Sequence, residues 1–596
     1  MISAIFDLNS PGGYLNWHFI SISVANFVLI LSMLVIFGLA LLIPFPKNKS
    51  DLKYDVLYTD KDDKDSDVVE NQTDDSSDED SKMLTNKLRK TVRSNLPLDK
   101  LVPDRQPAYV ESWIYVFGVA TLVALGLVIA SGVVLALGGV DWWHSTSIGH
   151  FVNSCHLWSV ECFMAFMVIH LWGKFWMAAW RHKRALTWMT GVVAFMFSVF
   201  EAFTGYLSQQ NFDSQWISTN GKDAFNAIGV GSFFNLMNFG QMLTWHIVVV
   251  PLVLVTIVAI HVIAVRFKGV VVPIDTEIKE KQKQKSEPSY RVKIPYKRYD
   301  IIKEGIIAGL IVTVLVFILS IAFSSPDTPP LSIKTWANTA PSDFVGTAAS
   351  ELALTSETAT YGPPYNNGTS NVQSLLFSPQ RIVGIRHEIN PAVSFVLTPL
   401  QDLAPENQLL QQALKQYKSA GSKQDILWAS NYLNNIDSLK FINGIPKLKS
   451  GNYGPVSVLI EFEYEIAKNG LLDSDLLAGG SFYGNDFTKP LLFLEDGQYF
   501  STIAKQQHLY GSQWGVMNET GSYPGQPWLW LYTLWYQLPG FRNSANVDLI
   551  AIYLTGAATA LLLFVPFIPG LRDIPRFFRV HRLVWKRWYK ESGIDV

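Results

Sequence analysis

The sequence predicts an all-α membrane bundle: a four-helix core plus about three further transmembrane helices, with a mixed α/β soluble domain on the outer side. Three observations predict it. Apolar residues fill 49% of 596 positions and the mean hydropathy is positive, as in integral membrane proteins with sizeable polar regions. Seven apolar runs, at about 18–45, 112–138, 150–177, 186–207, 241–265, 302–323 and 547–569, are long enough to cross a hydrocarbon layer ~30 Å thick. Two of these runs carry matched histidine pairs, His156 with His170 and His246 with His261.

The elements follow in chain order. The first run (residues 1–45) is read as an extra transmembrane helix and not as a cleavable signal, because no Lys or Arg precedes it and Lys47 and Lys49 follow it. Residues 46–105 include an acidic Ser/Asp-rich stretch with little to bury, expected to be a disordered cytoplasmic linker, with a charged interaction tail as the alternative. Residues 106–270 form the four-helix core, 271–300 a lysine-rich cytoplasmic linker, and 301–324 the sixth span. Residues 325–525 are rich in Ser, Thr, Asn, Gly and Tyr and are too long for a loop, so they are expected to form the outer domain. Within it, the alternation of Pro455–Tyr464 (PVSVLIEFEY) predicts a strand, and Leu410 and Leu414 within Asn407–Tyr417 predict a helix. A segment at 526–545, the last span at 546–570 and a basic tail at 571–596 complete the chain.

Basic residues set the orientation. Arg181, Lys183 and Arg184 follow the third span, Arg266 and Lys268 the fifth, and Arg572, Arg576, Arg579 and Arg582 the seventh. With seven crossings all fall on one side, which places the amino terminus outside and the carboxyl terminus in the cytoplasm. A net charge of −2 argues against nucleic acid as a partner. The only cysteines, Cys155 and Cys162, form no metal or haem-attachment motif and read as small packing residues.

Within the third span the histidines are 14 residues apart (170 − 156), and within the fifth 15 (261 − 246). At helical rise this separates each pair by about 21 to 23 Å, most of the apolar layer. A membrane histidine taken singly is commonly an interhelical hydrogen-bonding residue. Two matched pairs on two helices suit axial ligation of two stacked haems, His156 with His246 and His170 with His261. Glycine gives a second signal: Gly118 and Gly132 in the second span and Gly191 and Gly205 in the fourth are each also 14 apart. Small-residue helix packing is the ordinary reading of one such pair. Two pairs at this repeat would let a flat macrocycle approach the backbone at both histidine levels.

These pairs, together with EAFTGYL (Glu201–Leu207), Pro251 five residues after His246 and Arg266 five residues after His261, resemble the cytochrome b subunit of quinol-oxidising cytochrome bc complexes, in its chloroplast-like branch. The resemblance covers residues 112–269 most strongly. It implies a prokaryotic plasma-membrane subunit with two b-type haems: His156 and His246 on the outer haem iron, His170 and His261 on the inner, and Arg266, with Lys174, near the inner propionates. It also implies a Rieske iron–sulfur partner, cytochrome c or another soluble acceptor, quinone as substrate, a homodimer, and bifurcated quinol oxidation that builds a proton gradient. In the family a proline–glutamate–tryptophan–tyrosine element supplies a carboxylate at the quinol site. Here the nearest counterpart is Gln526, Pro527 and Trp528, with Tyr206 and Tyr532 as further pocket candidates. Gln526 cannot act as a general base. Asn153, where the family commonly has an arginine, and the LSQQNFDSQW stretch also depart from the pattern. The alternatives are a di-haem quinone-linked anchor of a dehydrogenase without bifurcation and, more remotely, a haem-free transporter.

Overall fold

The computed structural model describes residues 5–46, 103–290, 292, 294–403, 405–478, 485–509 and 520–593. Residues 47–102, most of the expected acidic linker, lie outside the described residues.

Seven helices have the length and composition to cross a membrane. They are α1 (Val24–Leu42), α2 (Val116–Gly138), α3 (Ser147–Trp176), α4 (Ala185–Ser208), α6 (Phe239–Lys268), α8 (Ile301–Phe323) and α11 (Val547–Phe564). Local chemistry fixes the ends. Ser23 Oγ accepts the Asn26 amide (3.2 Å) at the start of α1, and Thr146 Oγ1 accepts the Gly149 amide (3.0 Å) at the start of α3. Gly139, at φ +81, ends α2. The core pairs α2 along α3 and α4 along α6, while α8 packs on α2 and α3.

α5 (Phe212–Ala227) caps one end of this core and joins it to the 325–525 region. Its many polar side chains are buried because they bond to that region. Gln215 Nε2 donates to Leu331 O (3.0 Å), Gln215 Oε1 accepts from the Leu331 amide (2.8 Å), and Asp213 accepts the Thr520 amide (2.9 Å). The described residues of the region share an apolar core around Trp336, Phe344, Phe395 and Phe493. The region is helical apart from one short antiparallel hairpin, β5 (Lys440–Ile442) with β6 (Ile445–Lys447), among the described residues. The helix expected near 407–417 is α9 (Gln408–Ala420), with Leu410 and Leu414 buried.

The strand expected at Pro455–Tyr464 is instead the helix α10 (Val456–Lys468). Its buried residues Val456, Leu459, Ile460, Glu463, Tyr464 and Ala467 follow the helical period. The run satisfies both periods, and its length decides for helix.

Two further hairpins, β1 (Tyr14–Trp17) with β2 (Ile20–Ser23) and β3 (Arg105–Pro107) with β4 (Tyr296–Arg298), sit at opposite ends of the bundle. The amino-terminal segment touches the domain end, where Leu8 O accepts the Ser522 amide (2.6 Å) and His508 Nδ1 bonds Gly12 O (2.9 Å). At the other end the carboxyl-terminal tail packs on α7 (Ile274–Lys283): Arg582 pairs with Asp275 (3.0 Å) and Trp588 Nε1 donates to Thr276 Oγ1 (2.8 Å).

Candidate functional site

The two histidine-bearing helices face each other across the core. His156 on α3 and His246 on α6 have ring centroids 6.2 Å apart and ring planes at 89°. A first-row metal sits about 2 Å from an imidazole nitrogen. With roughly another 1 Å from that nitrogen to each ring centre, one ion held between two rings requires centroids about 6 Å apart, so the pair fits. Each Nδ1 is already committed, His156 to Ser131 Oγ (3.0 Å) and His246 to Glu201 O (3.1 Å). That arrangement fixes the tautomer and leaves Nε2 for a ligand.

At the second level His261 Nδ1 is bonded by Thr190 Oγ1 (3.1 Å), and His170 lies close enough to His261 for the two to interact electrostatically. Lys174 is near both, with its Nζ 4.7 Å from the Tyr115 ring centre, and Arg266 lies beside Tyr299.

The glycines meet the histidines one to one. A Cβ on Gly132 would lie 3.2 Å from His156 Cε1, on Gly205 2.5 Å from His246 Cε1, on Gly118 3.1 Å from His170 Cε1, and on Gly191 3.0 Å from His261 Cε1. Each imidazole therefore rests where any larger residue on the neighbouring helix would push it aside.

The unequal spacings, 14 and 15, have a structural explanation. Trp245–Val249 forms a π-turn containing His246, immediately before Pro251. Proline lacks the amide for the helical ladder and crowds the carbonyl four residues back, so the chain opens there. A π-turn inserts one residue. Fifteen residues of regular helix would rotate His261 by about 100° relative to a fourteen-residue spacing, and the inserted residue absorbs that rotation.

The domain-side pair opens into a cavity lined also by Asn153, Glu161, Tyr206, Gln209, Gln526 and Trp528. The structure thus brings Tyr206, Gln526 and Trp528 to His156 and His246. Gln526 is buried with its side-chain oxygen unpartnered, and Trp528 Nε1 is likewise buried and unpartnered among the described residues. Pro527 opens a short 3₁₀ turn, Pro527–Leu529. Tyr532 is elsewhere: it does not line the cavity, and its hydroxyl bonds Tyr536 (2.9 Å), which in turn donates to Asp548. Asn153 and Gln209 exchange two amide hydrogen bonds of 3.2 Å at the cavity mouth. Sequence reasoning missed Glu161 and Glu201, although a carboxylate inside an apolar span is a signal in itself. Glu201 Oε1 lies 3.2 Å from His246 Nδ1.

The molecule is therefore an integral membrane protein whose core is a four-helix bundle with two levels of histidines, His156 facing His246 at one and His170 near His261 at the other. Residues 161–330, which cover much of that core, match the family described as cytochrome b(N-terminal)/b6/petB, a stretch that holds Gly191, Gly205, His170, His246 and His261 and begins just after His156. Among relatives, cytochrome b6 of Heliomicrobium gestii is 27% identical over 133 residues, 20% of this chain and 62% of the relative. The menaquinol:cytochrome c reductase cytochrome b subunit of Geobacillus thermodenitrificans is 23% identical over 201 residues, 30% of this chain and 90% of the relative. The chain spans 62% of the length of the H. gestii and Heliobacterium modesticaldum cytochromes b6. A chain of a hyperthermophilic respiratory Complex III aligns over 65% of this chain and 97% of its own, at 16% identity and a TM-score of 0.30.

Proposed function

We propose that this chain is the cytochrome b subunit of a quinol-oxidising bc-type complex. The observations that carry the proposal are the facing imidazoles of His156 and His246 and the seating of all four histidines, each against its own glycine. His156 and His246 would hold one b-type haem on the domain side, His170 and His261 the second on the tail side, and Arg266, with Lys174, would supply positive charge for the tail-side haem's carboxylates. When bound, the two haems supply one-electron transfer between the two membrane faces.

The protein's part is to fix the imidazole tautomers through Ser131, Glu201 and Thr190, to keep water out with the apolar bundle, and to admit quinol beside the domain-side pair at Tyr206, Gln526 and Trp528. A Rieske iron–sulfur protein would be the partner that accepts one electron at the domain side, with cytochrome c or another soluble acceptor beyond it. The second electron crosses the layer to a quinone on the tail side. Moving one charge across is worth about 2.3 kcal/mol per 100 mV, so oriented transfer with proton release on the domain side builds a proton gradient. Assembly as a homodimer, a domain side facing outward and a carboxyl terminus in the cytoplasm belong to the same proposal.

The second reading, a di-haem anchor that relays electrons without bifurcation, is favoured by Gln526 standing where a carboxylate would serve as base. Quinol added to the purified complex tests the two. Antimycin-type block of the tail-side quinone reaction should leave quinol-driven reduction of both the iron–sulfur partner and the b haems. Haem reduction without any iron–sulfur partner would establish the anchor instead.

A further inference from the structure

Glu161 sits on α3 inside the apolar layer, 4% exposed, and both of its carboxylate oxygens are buried without a hydrogen-bond partner among the described residues. An ionisable group so placed is costly and is retained where it handles charge or protons. It lines the same cavity as Gln526 and Trp528, whose side-chain oxygen and indole nitrogen are also buried and unpartnered. Three unsatisfied polar groups around one apolar cavity describe a site for a ligand that is itself largely apolar and carries hydroxyl groups. The other titratable groups on the wall are Tyr206 and the histidines His156 and His246, and no lysine or arginine lines it among the described residues. Glu201, the other carboxylate nearby, is engaged with His246 Nδ1 at 3.2 Å and does not line the cavity.

We infer that Glu161 is the proton acceptor of the quinol pocket, with Gln526 and Trp528 orienting the bound quinol by hydrogen bonds; this rests on the quinol-oxidising reading above. The quinol O–H bond breaks with its electron pair left on the quinol oxygen, and the proton forms a new O–H bond on the Glu161 carboxylate. No electron moves in this step. The resulting quinol anion is the species that then gives up its electrons as proposed above.

The test uses membranes containing the intact complex and a reduced short-chain menaquinone analogue. Glu161→Gln should keep the haem spectrum, slow quinol oxidation on the order of 10²- to 10⁴-fold and remove the acid limb of the pH–rate profile, while Glu161→Asp recovers part of the rate. A carboxyl infrared band that appears on adding quinol should vanish in Glu161→Gln and shift in Glu161→Asp, which serves as the test if the amide variant does not assemble. Wild-type rate and pH profile in Glu161→Gln would overturn the assignment. Equal impairment of both variants with an unchanged pH profile would also overturn it, marking a packing role. A wild-type complex that fails to oxidise quinol removes the functional reading and this assignment together, whereas an active wild type with an indifferent Glu161→Gln removes only the assignment.

Discussion

Gly205 is the tightest point of the core, since a methyl group there would come within 2.5 Å of His246 Cε1. Overpacking of this kind costs about 1–3 kcal/mol, so Gly205→Ala should weaken haem binding at the domain-side level by roughly 5- to 150-fold. Gly118→Ala, with 3.1 Å to His170 Cε1, should act more mildly and on the tail-side level. Haem retention during dilution, followed spectroscopically, checks both, and equal retention in the two variants would contradict the cradle. At this scale the sequence was most informative where one number repeats. Spacings of 14 in one histidine pair and both glycine pairs, and of 15 in the other histidine pair, placed all four pairs at their levels. The Nδ1 partners Ser131, Thr190 and the Glu201 carbonyl were not legible, because each depends on how a neighbouring helix is rotated. Tyr532 was misplaced for the same reason, its side chain turning toward Tyr536 and away from the cavity.

At the scale of the element, the π-turn at Trp245–Val249 accounts for the fifteen-residue spacing in α6. Deleting Val249 should restore a regular helix with the histidines still aligned and both haems retained. Inserting an alanine after Val255, within regular helix, should rotate His261 by about 100° and abolish the tail-side haem alone. Reduced-minus-oxidised spectra distinguish the two variants, and loss of haem in the deletion with retention in the insertion would contradict the account. The periodicity of α10 misled because Val456, Val458, Ile460 and Phe462 alternate while Val456, Leu459, Ile460 and Glu463 follow a helix. The 13-residue length of the element, beyond that of an ordinary strand, separates the two patterns.

On the tail side, burial raises the Glu277 carboxyl's affinity for a proton, but hydrogen bonds from His182 and Lys281 and the charge on Arg181 outweigh it and hold the group well below the usual carboxylate range. Its stabilising contribution is therefore complete above the unfolded value of about 4.3 and is lost as pH falls through the lower folded value. Docking of α7 against the loop at Arg181 should weaken in acid. Hydrogen exchange across residues 274–283 measures this, and acid-insensitive protection would contradict it.

For the whole molecule, the seven apolar runs were enough to place the seven long apolar helices, because bilayer thickness and solvation leave few arrangements open. How the 325–525 region joins the bundle was not legible. Its attachment depends on long-range polar contacts through α5 that no local pattern announces. Lys222, 3% exposed, lies 2.7 Å from Glu495 and 3.3 Å from Asp223. Burial opposes its charge, but Asp223 and Glu495 outweigh that and hold the lysine charged, well above its usual range. Lys222→Met would leave the half-buried Glu495 without its cation, a loss of up to about 3 kcal/mol. The domain should then become sensitive to limited proteolysis while the haem spectrum is unchanged. Unaltered protease resistance would contradict this role for the pair.

The central claim is that α3 and α6 clasp two haems between facing histidines. Quantifying pyridine haemochrome per chain in purified wild type, His156→Ala and His261→Ala tests it most directly. The account predicts two b haems in the wild type and one in each variant, a different one in each case. A wild-type chain without haem, or alanine variants that keep both, would contradict it.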